Sequence, residues 1–215
     1  DQPTENSVSK NTSTPAFLDV WPESKNWTLR PVQEVLQSLC QNNRLPPGLV
    51  IIEAPMGEGK TEAAIYLAEC WNQHSHRTGC YLALPTQATS NQIHKRYEKF
   101  LAEQRPLSAA PRLVHGMSWL MDDVAPDGTP QIYGDDSSSR QTAQDWFRPA
   151  RRALLATDGV GTVDQALMAA LNVKFGFLRL LGLSAKTLII DEVHAYDDFM
   201  TTIMERLLSW CRTLQ

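Results

Sequence analysis

The chain has 215 residues, 42% of them hydrophobic, enough apolar surface for one large domain or two small ones. With 20 Lys and Arg against 24 Asp and Glu, the net charge of -4 argues against a globally basic nucleic-acid binder, so any such contact must be local. Cys40, Cys70, Cys80 and Cys211 form no CxxC pair, and no stretch reads as a signal or a membrane span, which leaves a soluble protein of the reducing cytoplasm as the expectation.

Eleven of the first fifteen residues are Gln, Pro, Thr, Asn or Ser, so residues 1–16 read as a disordered linker or tail and 17–215 as one domain. Phe17, Trp21 and Trp27 lead into an amphipathic helix marked by Val32, Val35, Leu36 and Leu39 and stopped by Pro46-Pro47-Gly48. Arg30 and Gln33 at its start match an adenine-reading pattern, because a glutamine amide both donates to and accepts from the adenine edge. A merely solvated helix face is the other reading.

Short apolar runs then recur at residues 49–52, 80–84, 153–156 and 187–190, each followed by a loop and a helical pattern. This order predicts an α/β fold with a mostly parallel sheet and helices on both faces, its ligands at the carboxyl ends of the strands. The last helix is marked by Tyr196, Phe199, Met200, Ile203, Met204, Leu207, Leu208 and Cys211 on one face. Residues 119–145 carry six Asp against Arg140 alone and read as an inserted loop.

Ala54-Pro55-Met56-Gly57-Glu58-Gly59-Lys60-Thr61 lies between a strand pattern and a helix pattern that opens at Glu62, as a phosphate-binding loop requires. Gly57 and Gly59 let the backbone approach phosphates, and the successive amides of residues 56–62, after Pro55, donate to their oxygens. Lys60 supplies a positive charge for the β and γ phosphates of ATP, and Thr61 a hydroxyl for Mg2+. A Gly-rich helix cap is the bland alternative. A second element, Asp191-Glu192-Val193-His194, closes the strand at 187–190 and brings two carboxylates to the same sheet edge. Asp191 is expected to hold Mg2+, Glu192 to activate the attacking water, and His194 to couple the site to DNA-sensing elements. Capping of the following helix would also account for the acidic pair.

Two polar segments point beyond a generic nucleotide hydrolase. Thr86, Gln87 and Ser90 follow the strand at 80–84 and lead into a helix with His94, Lys95, Arg96 and Lys99, which suits the grip of a sugar-phosphate backbone. Thr162 and Gln165 follow Gly159 and Gly161 in a similar setting. Helix capping is the alternative for both. Arg148, Arg151 and Arg152 form a small basic cluster suited to DNA phosphates or to solvent.

Taken together, residues 161–165, residues 174–183 and Asp191-Glu192-Val193-His194-Ala195-Tyr196-Asp197 resemble the CRISPR-associated helicase-nuclease of type I interference systems, from about Trp21 onward. The resemblance implies the first RecA-like domain of a superfamily 2 DExH helicase, ending before the Ser-Ala-Thr motif. It implies ATP and Mg2+ as cofactors, single-stranded DNA as substrate in antiviral defence, and an RNA-guided surveillance complex as recruiter. It further implies a nuclease domain and a second RecA-like domain as partners, with weak hydrolysis by the isolated chain. The alternatives are a non-catalytic module docking on the surveillance complex and the motor domain of another superfamily 2 translocase.

Overall fold

A computed structural model describes residues 14–21, 28–74, 79–104, 112–114, 154–173 and 176–214. Residues 1–13 of the expected tail over 1–16, the insertion at 119–145 and the Arg148, Arg151 and Arg152 cluster lie outside the described residues.

In chain order the elements are α1 (Phe17–Val20), α2 (Pro31–Gln41), α3 (Lys60–His74), β1 (Cys80–Leu84), α4 (Gln87–Gln104), β2 (Arg112–Val114), β3 (Gly159–Thr162), α5 (Val163–Leu167), α6 (Gly176–Ser184), β4 (Thr187–Ile190), a short 3-10 turn η1 (Val193–Ala195) and α7 (Asp198–Thr213). The strands form one parallel sheet in the order β2-β3-β1-β4. Every residue of β1 is buried, because β1 lies between β3 and β4 and is covered on both faces.

Side-chain alternation along β1 assigns the two layers. Cys80, Leu82 and Leu84 join Phe17, Leu36, Tyr66, Trp71, Tyr97 and Phe100 from α1 to α4. Tyr81 and Ala83 face the other way and join Val163, Leu167, Leu183, Ile203, Met204 and Leu207 from α5 to α7. The expected α/β architecture with helices on both faces is therefore present. No helix among the described residues is long and apolar enough to cross a membrane.

Two strand expectations fail, for different reasons. Residues 49–52 form no strand: Val50 and Ile52 pack against the first core, while Leu49 and Ile51 are 71% and 77% exposed. Among the described residues no strand lies beside them, and a segment without a ladder partner has half its side chains in water. Of the run at 153–156, residues 154–156 also form no strand, and Ala153 lies outside the described residues. Leu154 and Ala156 are buried, yet Leu154 sits in a turn whose carbonyl accepts a hydrogen bond from Lys186 Nζ and packs against Gly182, where a Cβ would approach it to 2.5 Å. Burial pushes the Lys186 ammonium down to about 8. The strand is instead β3, over the glycine-containing stretch Gly159–Thr162, because two flanking strands and two helical layers select a buried position whatever its intrinsic β propensity.

Asp158, just before β3, ties β1 to α4. Its buried Oδ1 accepts from the Cys80 amide at 3.0 Å and from the Tyr97 hydroxyl at 2.7 Å. Such charge-assisted bonds to a buried carboxylate are roughly twice as strong as neutral ones.

Candidate nucleotide site

The carboxyl end of β4 and the amino end of α3 meet across 130 residues of sequence. Thr61 Oγ1 donates to Asp191 Oδ2 at 2.8 Å, and Glu192 N donates to Asp191 Oδ1 at 2.9 Å. The ladder continues one step past β4, with Asp191 N donating to Ala83 O at 3.0 Å, so Asp191 is held on a buried scaffold. Glu192 leaves that scaffold in the left-handed region, φ 52 and ψ 45. For a non-glycine residue this conformation costs about 1–2 kcal/mol and must be held by its surroundings. Its side chain is exposed at the cavity.

The loop before α3 turns as its glycines require. Gly57 and Gly59 have φ of 81° and 70°, conformations that L side chains rarely adopt. Lys60 Nζ donates back to Ala54 O at 2.7 Å and Pro55 O at 2.9 Å, so its charge is centred in the curve of the loop. Arg30 pairs with Glu58 at 3.3 Å, and Arg96 of α4 pairs with Glu62 of α3. Met56 is 92% exposed at the loop tip, and Pro55 leads into it.

Lys60, Thr61, Glu62, Gly57, Gly59, Arg30, Gln33, Asp191, Glu192 and His194 all line one cavity of about 1720 Å³, which also runs between residues 49–52 and the free side of β4. The structure thus brings the phosphate-loop residues and the acidic pair together. Thr61 and Asp191 offer a hydroxyl and a carboxylate on adjacent oxygens, which fits a magnesium ion that takes few protein ligands and keeps the rest of its shell for phosphate and water. No cluster of three or more His, Cys, Asp or Glu suited to a metal occurs among the described residues.

Several expected roles take a different form. Gln33 is buried, and its amide is engaged internally: Oε1 accepts from Arg30 N at 3.1 Å, and Nε2 donates to Gly59 O at 3.4 Å. It caps α2 and braces the phosphate loop, which leaves little of the amide to read a base. Thr86 caps α4 through Thr89 N at 3.2 Å, and Ser90, fully buried, donates to Thr86 O at 2.8 Å, while Gln87 is exposed. Thr162 and Gln165 are 4% and 1% exposed, and Gln165 Oε1 accepts from the buried Arg179 at 2.8 Å. Their side chains are therefore not presented to a ligand at the surface: they sit where α5 packs on the second core. Arg96, expected to face a nucleic-acid backbone, is engaged with Glu62.

Sequence reasoning read Tyr196 as part of an apolar helix face and of the resembling stretch 191–197, and gave it no role at the site. Its hydroxyl donates to Asp191 O at 2.7 Å.

Comparison with known proteins follows this geometry. No family model matches the chain. It is 41% identical over 187 residues to the CRISPR-associated endonuclease/helicase Cas3 of Thermus thermophilus, covering 85% of this chain and 20% of that protein. A crystal structure of T. fusca Cas3-ATP is similar over 93% of this chain and 22% of that one, with 38% identity and a TM-score of 0.72. A CRISPR RNA-guided surveillance complex in a pre-nicking state contains a chain 35% identical to this one, with a TM-score of 0.56 over 84% of this chain and 16% of that one. The chain spans about one fifth of the length of the curated relatives it matches.

Proposed function

The chain belongs with the CRISPR-associated Cas3 helicase-nucleases, as a homologue of one segment of them, and from that premise we propose that it is the ATP-binding first RecA-like domain of such a motor. The observation that carries the reading is the Thr61 to Asp191 hydrogen bond, which joins a phosphate-loop hydroxyl to a strand-end carboxylate. The loop amides and Lys60 bind the phosphates, Lys60 exchanging two carbonyls for phosphate oxygens. Thr61 and Asp191 hold Mg2+, which when bound neutralises charge between the β and γ phosphates. Glu192, exposed at the cavity, orients and deprotonates the attacking water. His194, exposed on η1 beside it, links the site to elements that respond to DNA.

In this reading the substrate of the whole motor is single-stranded DNA in antiviral defence, and its recruiter is an RNA-guided surveillance complex. The assignment is supported by relatives named as nuclease/helicases and by the likeness to a surveillance-complex structure. DNA contact by this segment falls to the exposed Thr86 and Gln87 at the start of α4. The nuclease domain and second RecA-like domain supply the remaining chemistry. An arginine finger from a second domain is worth about 10³ to 10⁵ in rate in related hydrolases, so this chain alone binds ATP but turns it over weakly.

The test is equilibrium binding of a fluorescent ATP analogue with Mg2+ to the chain and to its Lys60→Ala and Asp191→Ala variants. Binding by the native chain is expected, with a loss of at least about tenfold for Lys60→Ala, the equivalent of ~1.4 kcal/mol. For Asp191→Ala, the loss is confined to the Mg2+-dependent part. Equal binding by all three proteins sinks the proposal.

A further inference from the structure

The left-handed backbone of Glu192 is held by a group outside the residues that would carry the phosphate chemistry. We propose that Tyr196 is the positioning residue of this site: its hydroxyl fixes the peptide between Asp191 and Glu192 and so aims both carboxylates. The inference deepens the nucleotide-site reading and rests on it.

Asp191 is pinned at four points. Its amide bonds Ala83 O, its Oδ1 accepts from Glu192 N, its Oδ2 accepts from Thr61, and its carbonyl accepts from the Tyr196 phenol. The last bond acts on the peptide whose rotation sets φ of Glu192. A peptide rotates as a plane, so turning the Asp191 carbonyl away from Tyr196 would turn the Glu192 N–H away from Asp191 Oδ1 as well. That rotation relaxes the strained φ of 52°, and the phenol opposes it.

The turn that follows brings the phenol back to this carbonyl. Ala195 N donates to Glu192 O at 2.9 Å and Tyr196 N to Val193 O at 3.2 Å, closing η1. The Tyr196 side chain packs against the second core, as do Ile190 and Met200, and Asp197 caps α7 by accepting from Met200 N at 2.8 Å. Tyr196 is thus anchored in the core at its ring and touches the site only through its hydroxyl, which is the form of a positioning group.

The experiment uses Tyr196→Phe in the 215-residue chain, which removes the hydroxyl and keeps the ring. Binding of the fluorescent ATP analogue is titrated with Mg2+, and amide hydrogen exchange is followed at Glu192 and Ala195. Nucleotide affinity without Mg2+ is expected to match the native chain, while half-saturation by Mg2+ rises about tenfold, the low end of what loss of an outer ligand-orienting partner costs. Exchange at the two amides is expected to speed up while exchange in β1 does not. A Tyr196 that only stabilises the fold would lower the melting point and leave the Mg2+ titration and the local exchange pattern unmoved, and that result overturns the inference alone. Absence of nucleotide binding by the native chain at every Mg2+ concentration overturns the site reading, and this inference with it.

Discussion

The two walls of the nucleotide cavity are built by different means. On one wall, β4 is laddered to β1, its Asp191 amide extends that ladder, and α7 covers it from the second core. On the other wall, residues 49–59 have no ladder among the described residues, and Leu49, Ile51 and Met56 are exposed. Side chains fasten that wall instead: Lys60 to two carbonyls, Gln33 to Gly59 O, and Arg30 to Glu58. A laddered strand has one position, whereas a loop tied by side chains can exchange partners. In the proposed reading, the side assigned to magnesium is therefore preformed, and the side assigned to phosphate is the one expected to reorganise on binding an anion.

The largest expected effect compares the walls directly. Leu82→Ala, in the middle of fully buried β1, should destabilise by about 2–5 kcal/mol, whereas Leu49→Ala should stay within ~0.5 kcal/mol. Urea denaturation of the two variants measures both, and a comparable loss for Leu49→Ala would break the contrast by showing that wall to be packed in solution.

A smaller effect sharpens the comparison at the loop. Gly59→Ala places a side chain at φ 70° and a Cβ 2.4 Å from Gln33 Nε2. It should cost about 1–3 kcal/mol and weaken nucleotide binding together with stability. If the melt falls while nucleotide affinity is unchanged, Gly59 matters for the fold and not for the phosphates.

The smallest effect lies on the laddered wall. Asp197→Ala removes the cap of α7 and should cost about 1 kcal/mol in a thermal melt, with nucleotide affinity preserved. A tenfold loss of affinity would show that the preformed wall depends on the first turn of α7 more than its ladder implies.

Much of this was legible from the chain. Gly57, Gly59, Lys60 and Thr61 mark a loop by chemistry that is local, and the acidic pair after an apolar run marks a strand end. The periodic faces of α2 and α7 were also visible, although Val35 and Phe199, read as part of those faces, are 58% and 72% exposed. The misreadings share one origin. Leu154 and Ala156, from an apolar run read as a strand, are buried without forming one, and Gly159–Thr162 is a strand despite its glycines, because ladder partners are distant in sequence. Thr162 and Gln165 looked like polar residues offered to a ligand. Burial by α6 and the bond from Arg179 turned them inward.

The sequence by itself determined the local conformations, such as which turns need glycine and where helices begin, and it proposed which side chains suit phosphate and metal chemistry, since each depends on residues a few positions apart. The tertiary structure alone decided that Thr61 meets Asp191, that Gln33 braces the loop, that Tyr196 reaches the Asp191 carbonyl and that residues 49–52 have no strand beside them. Those outcomes depend on which backbone groups find partners across the sheet, and hydrogen bonding between segments as many as 130 residues apart leaves no periodic trace in the chain.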